Sequence, residues 1–265
     1  MKIGFIGAGN MGGAIAIAAA KAVGGEHLLI ADLNTEKAAA LAADIGATAT
    51  DNEGVVANSD YIFLGVKPQV MESALTALRP ALAAREQKPV LISMAAGLTV
   101  ACIQDWSGGA PTIRIMPNTP VAVGEGMTLY TVGADVTAEQ KAVFADFMTA
   151  SGRLCELPES LIDAGCAVSG CGPAFAYLFI EALAAGGTEK GLDPALSLEL
   201  AAQTVLGAAK MVQETRRDPI ALKDAVCSPG GATLQGVAAL ERGGFRDAAL
   251  SAVDAAYRRT LEMKQ

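Results

Sequence analysis

The chain has 265 residues, 52% of them apolar and 18% charged, a balance that supports a sizeable core and excludes an intrinsically disordered protein. Its formal charge of −8 comes with no concentration of Lys or Arg, so the electrostatic footprint of a nucleic-acid binder is missing. The only histidine is His27, set among polar residues as an ordinary surface histidine would be, which argues against hydrolases built on a Ser-His-Asp or Cys-His pair.

In chain order, residues 2–6 form an apolar run ended by Gly7, and 11–23 are Ala-rich without proline, so the chain opens as strand, glycine turn and helix. The opening MKIGFIGAGNMG therefore reads as a first strand and turn, not as an export signal, because no cleavage region follows. Strands are predicted at 28–31, 61–66, 90–94 and 112–116, with helices at 36–44 and 70–82. This alternation predicts an α/β Rossmann-type domain with a doubly wound parallel sheet over residues 1–158.

Beyond Pro158 the β-branched runs thin out, and Ala/Leu-rich segments appear at 174–185, 194–214, 233–240 and 245–263. Breakers at Gly186-Gly187, Gly191 to Pro194, Asp218-Pro219 and Gly243-Gly244 divide residues 159–265 into an all-α domain. The window 164–180 contains Gly170, Gly172 and Pro173 and reads as a buried loop and helix, not a membrane span. Residues 174–185 are apolar nearly all round, more than so small a domain can hide, which predicts burial against a second subunit in a homodimer or an oligomer built from dimers. Cys102, Cys155, Cys166, Cys171 and Cys227 are scattered without CxxC spacing, against both a disulfide framework and a metal site, so a cytoplasmic location is expected.

Gly7-Ala8-Gly9-Asn10-Met11-Gly12 fits the GxGxxG pattern where it has physical meaning, after a strand and opening a helix. There the backbone can approach a pyrophosphate closely and meet it with free N–H groups. Asp32 closes the second strand at the distance where an acid accepts from the adenosine ribose, which favours NAD over NADP; a turn or N-cap role, shared with Asn34 or Thr35, is the alternative. Lys67 follows a strand at a carboxyl end, on the edge where doubly wound sheets bind ligands, as do Ser93 to Gly97 and Arg114 to Pro120. In the helical half, Val226-Cys227-Ser228-Pro229-Gly230-Gly231-Ala232-Thr233 is a second glycine loop opening a helix, suited to a small carboxylate or serving only as a capped turn.

Taken together, GAGNMG, VKPQ at 66–69, SMAAG at 93–97, RIMPNTP at 114–120, SGCGPA at 169–174 and SPGGAT at 228–233 stand in the order found in pyrroline-5-carboxylate reductases, and the sequence resembles that family along essentially its whole length. The resemblance implies NADP- or NAD-dependent reduction of a cyclic imine acid to proline, with the substrate site where the Rossmann and helical domains join. It implies cofactor contacts at Gly7, Ala8, Gly9, Asn10, Met11, Asn52, Val66, Lys67, Pro68, Ala95, Ala96 and Gly97, beside Asp32. It implies substrate contacts at Ser228, Gly230, Gly231, Ala232, Thr233 and Glu159.

On this basis the backbone N–H groups of Gly230, Gly231 and Ala232 are expected to hold the carboxylate, with the Thr233 hydroxyl as the catalytic hydrogen-bond donor to the ring nitrogen. Cys171, Cys227, Ala225, Arg216 and Arg217 depart from the family's usual residues around these loops. A 3-hydroxyacid dehydrogenase of the same plan would need a lysine on the long helix opening the second domain, and 169–185 has none. A non-catalytic nicotinamide sensor would have no use for the second glycine loop.

Overall fold

The computed structural model describes residues 1–262. Met1–Cys171, with the chain from Ala256 onward, forms one compact unit and Gly172–Ala255 another.

The first unit runs β1 (Ile3–Ile6), α1 (Asn10–Val23), β2 (Leu28–Ala31), α2 (Thr35–Ile45), β3 (Thr48–Ala49), α3 (Asn52–Asn58), β4 (Tyr61–Leu64), α4 (Pro68–Ala83), β5 (Val90–Ser93), α5 (Val100–Ser107), β6 (Thr112–Met116), β7 (Gly126–Val132), α6 (Ala138–Phe147), β8 (Gly152–Glu156) and α7 (Ile162–Ser169). The sheet order is β3-β2-β1-β4-β5-β6-β7-β8, so the chain winds one way from β1 and then the other. All pairs are parallel except β6 with β7, a departure from the wholly parallel sheet expected. The short link between those two strands, a single 3-10 turn at Thr119–Val123, is too brief for a crossover and forces the reversal.

The central strands are buried on both faces, hence their unbroken apolar runs. Phe5 and Phe63 stack at 4.7 Å in one core layer, which Phe144 and Phe147 of α6 complete. The opposite layer takes Ile62 and Leu64 with Met71, Leu75, Leu78 and Leu82, a helical stripe along α4. Burying each such side chain stabilises the fold by about 1.5–3 kcal/mol, which is why α4 tolerates Pro80 near its end. The helix α7, assigned from sequence to the second domain, buries Ile162 and Asp163 within this first unit.

The second unit contains α8 (Gly172–Glu189), α9 (Pro194–Thr215), α10 (Pro219–Val226), α11 (Ala232–Arg242) and most of α12 (Phe245–Glu262). The predicted break at Gly186-Gly187 does not occur, since α8 continues through both. Gly187 is a packing feature: a Cβ there would lie 2.2 Å from the Ser197 hydroxyl, which itself donates to Ala184 C=O at 2.6 Å, whereas Gly186 faces open space. Asp193 and Asp218 cap α9 and α10. Arg216, at the end of α9, is the one non-glycine residue with positive φ among those described, at 53°, a position glycine would fill without strain. Residue 263, at the end of the last expected helix, lies outside the described residues.

Within one chain the expected burial of 164–180 fails: Val168, Phe175, Tyr177 and Leu178 are exposed. Two segments, Glu159–Glu189 and Pro194–Thr215, are long and apolar enough to cross a membrane by length and composition, with 6% and 11% of their apolar windows buried.

Candidate active site

Six helices, α2, α3, α5, α6, α9 and α10, begin at an Asn, Asp or Thr whose side chain accepts from the first turn. By contrast α1 and α11 begin at Gly9 and Gly231, with no side-chain cap. An N-terminus left open this way presents its first-turn N–H groups to an anion. These two uncapped glycine starts are the glycine loops singled out in the sequence; α4 and α7, which begin at Lys67 and Leu161, also lack a side-chain cap.

In the first unit, the expected cofactor residues gather at the carboxyl ends of adjacent strands. Gly7 to Gly9 join β1 to α1, with Asn10 and Met11 in the helix's first turn; Asp32 follows β2, and Asn52 opens α3 behind its cap Asp51. Val66 and Lys67 lead from β4 into Pro68, the first residue of α4, while Ala95, Ala96 and Gly97 follow β5. Gly7 holds φ 101°, and a Cβ there would lie 2.5 Å from Gly65 O, so the β1 and β4 turns meet backbone to backbone. Glycine is required on both sides, since a Cβ on Gly65 would lie 2.5 Å from Gly7 O.

Asp32 has work inside the chain as well as its expected ribose contact. One carboxylate oxygen accepts from Ala8 N–H at 2.6 Å and the other from Asn34 N–H at 2.9 Å, so Asp32 closes the glycine loop from below. Ala8 N–H is thereby spoken for, and the donors left for a pyrophosphate are those of the first turn of α1. The cap of α2 is Asn34, whose side chain accepts from Lys37 N–H, which removes the N-cap alternative for Asp32. Beside Asp32 a groove of about 520 Å³ is lined by Leu33, Thr35, Thr50, Asp51 and Asn52 among others, with no Lys or Arg among its lining residues.

The second loop, Ser228 to Thr233, lies in the second unit between α10 and α11. Gly230 adopts φ 72°. Gly231 N–H donates to Ser228 C=O at 3.0 Å, so it is committed to the turn and does not serve the carboxylate as expected. A side chain at Gly231 would strike the Ser228 hydroxyl, 2.5 Å from its Cβ. Ala232 and Thr233, in the first turn of the uncapped helix, are exposed, as is Gly230, and these three carry the remaining donors.

Glu159 lies elsewhere, in a 3-10 turn of the first unit, and its carboxylate is already engaged. One oxygen accepts from Val100 N–H at 2.8 Å and pairs with Arg114 at 3.3 Å. Arg114, 1% exposed, pairs on its other side with buried Asp163 at 3.1 Å. The sequence signal for this cluster was a lone charge inside the apolar strand TIRIM, with two acids four residues apart downstream. Asn118, also passed over as a site residue, ties the β6 loop to α7 by donating to Ser169 C=O while accepting from Met127 N–H, both at 2.9 Å. All five cysteines are free, and burial pushes the Cys166 thiol up to about 11, which keeps it protonated and unreactive.

A doubly wound sheet with an uncapped glycine turn at its switch point, followed by a helical unit with its own anion loop, defines a dinucleotide-dependent oxidoreductase. Residues 2–97 match the family model described as NADP oxidoreductase, coenzyme F420-dependent, and 159–263 match pyrroline-5-carboxylate reductase dimerisation. The pyrroline-5-carboxylate reductase of Arabidopsis thaliana is 41% identical over 100% of this chain and 96% of its own. The Coxiella burnetii enzyme structure superposes with TM-score 0.91 at 32% identity, covering 100% of this chain and 98% of that one. The Plasmodium falciparum reductase structure, with NADP bound, does so with TM-score 0.87 at 33% identity, covering 100% and 98%. The chain belongs to the pyrroline-5-carboxylate reductase family, and its coenzyme is a nicotinamide dinucleotide.

Proposed function

We propose that this protein reduces the C=N bond of 1-pyrroline-5-carboxylate to give L-proline. The observation that carries the reading is the pair of uncapped glycine loops, one fitted to a pyrophosphate and one to a small carboxylate. The dinucleotide fits the first unit because open space lies where a side chain would stand at Gly9, the uncapped start of α1, so a pyrophosphate can approach the backbone there. When bound, it supplies the hydride. The protein's part is to hold and orient: the first turn of α11 binds the substrate carboxylate through the Ala232 and Thr233 N–H groups, and the Thr233 hydroxyl oxygen accepts from the protonated ring nitrogen. A cyclic imine protonated in water carries its own electrophilicity, so positioning suffices and no histidine is needed.

We further infer a preference for NADH. The carboxylates of Asp32 and Asp51 line the groove beside the glycine loop, and like charge there opposes a 2′-phosphate. Initial rates with pyrroline-5-carboxylate and each coenzyme should favour NADH, and Asp32→Asn should narrow the ratio about tenfold. Faster turnover with NADPH in the wild type would reverse the assignment, and oxidation of neither coenzyme by folded protein would reject the reductase.

The working form is a homodimer or larger, in a cytoplasmic setting. Exposed Phe175, Tyr177 and Leu178 on α8 and Leu206 and Met211 on α9 form more apolar surface than a lone soluble chain carries. Sedimentation without detergent should give at least a dimer; a monomer that instead partitions onto lipid vesicles would contradict this.

A further inference from the structure

We infer that Glu159 is a positioning residue for the loop carrying Ala95, Ala96 and Gly97, acting through Val100 and Arg114, and is not a ligand of the imine acid. This rests on the reductase reading, in which that loop borders the nicotinamide.

One end of the loop leaves the strand beside Arg114 and the other is tied through Glu159 to the Arg114 guanidinium. At its start, Ser93 of β5 sits in register with Arg114 of the parallel neighbour β6. At its end, Val100 opens α5 and donates its N–H to the Glu159 oxygen at 2.8 Å, the same oxygen that faces Arg114 at 3.3 Å. Asp163 holds the other arm of the guanidinium at 3.1 Å. Ile113 and Ile115 turn into the apolar core while Arg114 between them is 1% exposed, so the guanidinium has no freedom to follow a moving partner. At 3.1 and 3.3 Å these bonds are longer than the usual charge-assisted pair, and the guanidinium is held by its burial and by an acid on each side.

The start of α5 also depends on Glu159 in particular. Thr99 already caps this helix by accepting from Cys102 N–H at 3.2 Å, and Glu159 satisfies the N–H of Val100, one of those a helix start leaves open. Gly97 holds φ 80°, so the segment between the two anchors contains a turn that small shifts at either end would redirect. Both donors fall on one carboxylate oxygen, which is thereby fixed between Val100 and Arg114; the second oxygen, on a side chain 34% exposed, has no part in this support.

The two roles predict opposite kinetics. A substrate ligand, once removed, raises KM for the imine acid and leaves dinucleotide affinity alone. A support of the nicotinamide loop does the reverse. The test is NADH affinity by fluorescence titration, steady-state KM for pyrroline-5-carboxylate and the isotope effect with deuterated NADH, in wild type, Glu159→Ala and Glu159→Gln. Glu159→Ala should raise the NADH Kd about tenfold and lower kcat about tenfold with a larger isotope effect, while imine KM stays within about twofold. Glu159→Gln keeps an acceptor for Val100 and should recover most of the NADH affinity. If Glu159→Ala does not fold, Arg114→Lys, which keeps the charge but cannot fork to two acids, should move NADH affinity the same way. A raised imine KM with unchanged NADH Kd, or no change in either, would overturn the inference. Wild-type protein that binds NADH yet never oxidises it with the imine would instead remove the reductase reading, and the Kd comparison would still decide what Glu159 supports.

Discussion

Gly7→Ala will lose dinucleotide binding and about 3 kcal/mol or more of stability. Two costs add. The φ of 101° lies where an alanine is strained, and the new Cβ would sit 2.5 Å from Gly65 O and 2.7 Å from Gly65 C. Neither contact can be relieved by a side chain swinging away, because both partners are backbone. The β1 and β4 turns must part, and the first turn of α1 moves with them. Thermal unfolding should fall by about 10 °C and NADH affinity by about a hundredfold or more. Retained NADH affinity in a folded Gly7→Ala protein would mean that this turn does not hold the pyrophosphate.

Thr233→Ala will behave in the opposite way, sparing stability and costing turnover. Thr233 is exposed at the second position of α11, so its hydroxyl supports little of the fold. Losing one hydrogen bond to the ring nitrogen, at roughly 1–3 kcal/mol, should reduce kcat ten- to a hundredfold, by about the amount the arithmetic of barriers gives. NADH affinity should not change, and Thr233→Ser should restore most of the rate because it restores the hydroxyl. Unchanged kinetics in Thr233→Ala would remove the hydroxyl from the mechanism and leave the loop as a carboxylate holder.

The sequence reading succeeded where one signal was strong and local. Leu28–Ala31 is a continuous apolar run and Thr112–Met116 a β-branched and apolar one broken only by Arg114, and the structure has strands at the same residues. It missed β7 and β8, which begin at Gly126 and Gly152 and mix polar residues among the apolar ones. It also missed α10, eight residues long with little periodicity to read. Gly186-Gly187 looked like a stop because propensity counts a glycine pair as a break, but close packing of Ser197 against α8 outweighs propensity.

At the site, the glycine loops were legible because strand, turn and helix lie side by side in the chain. The partners of acidic side chains were not. Asp32 reaches Ala8 across 24 residues and Glu159 reaches Val100 across 59, and no local pattern records which donor a carboxylate will find. Gly231 fails for a subtler reason: a loop drawn as three free N–H groups spends one of them on its own turn.

The measurement that bears most directly on the central claim is the fate of the transferred hydride. Protein, 1-pyrroline-5-carboxylate and NADH deuterated at the reactive face of nicotinamide C4 would be incubated, and the proline recovered and analysed by mass spectrometry. The account predicts proline carrying deuterium at the former imine carbon, formed one for one with the NADH consumed. Proline without the label, or NADH consumed with no proline formed, would contradict it.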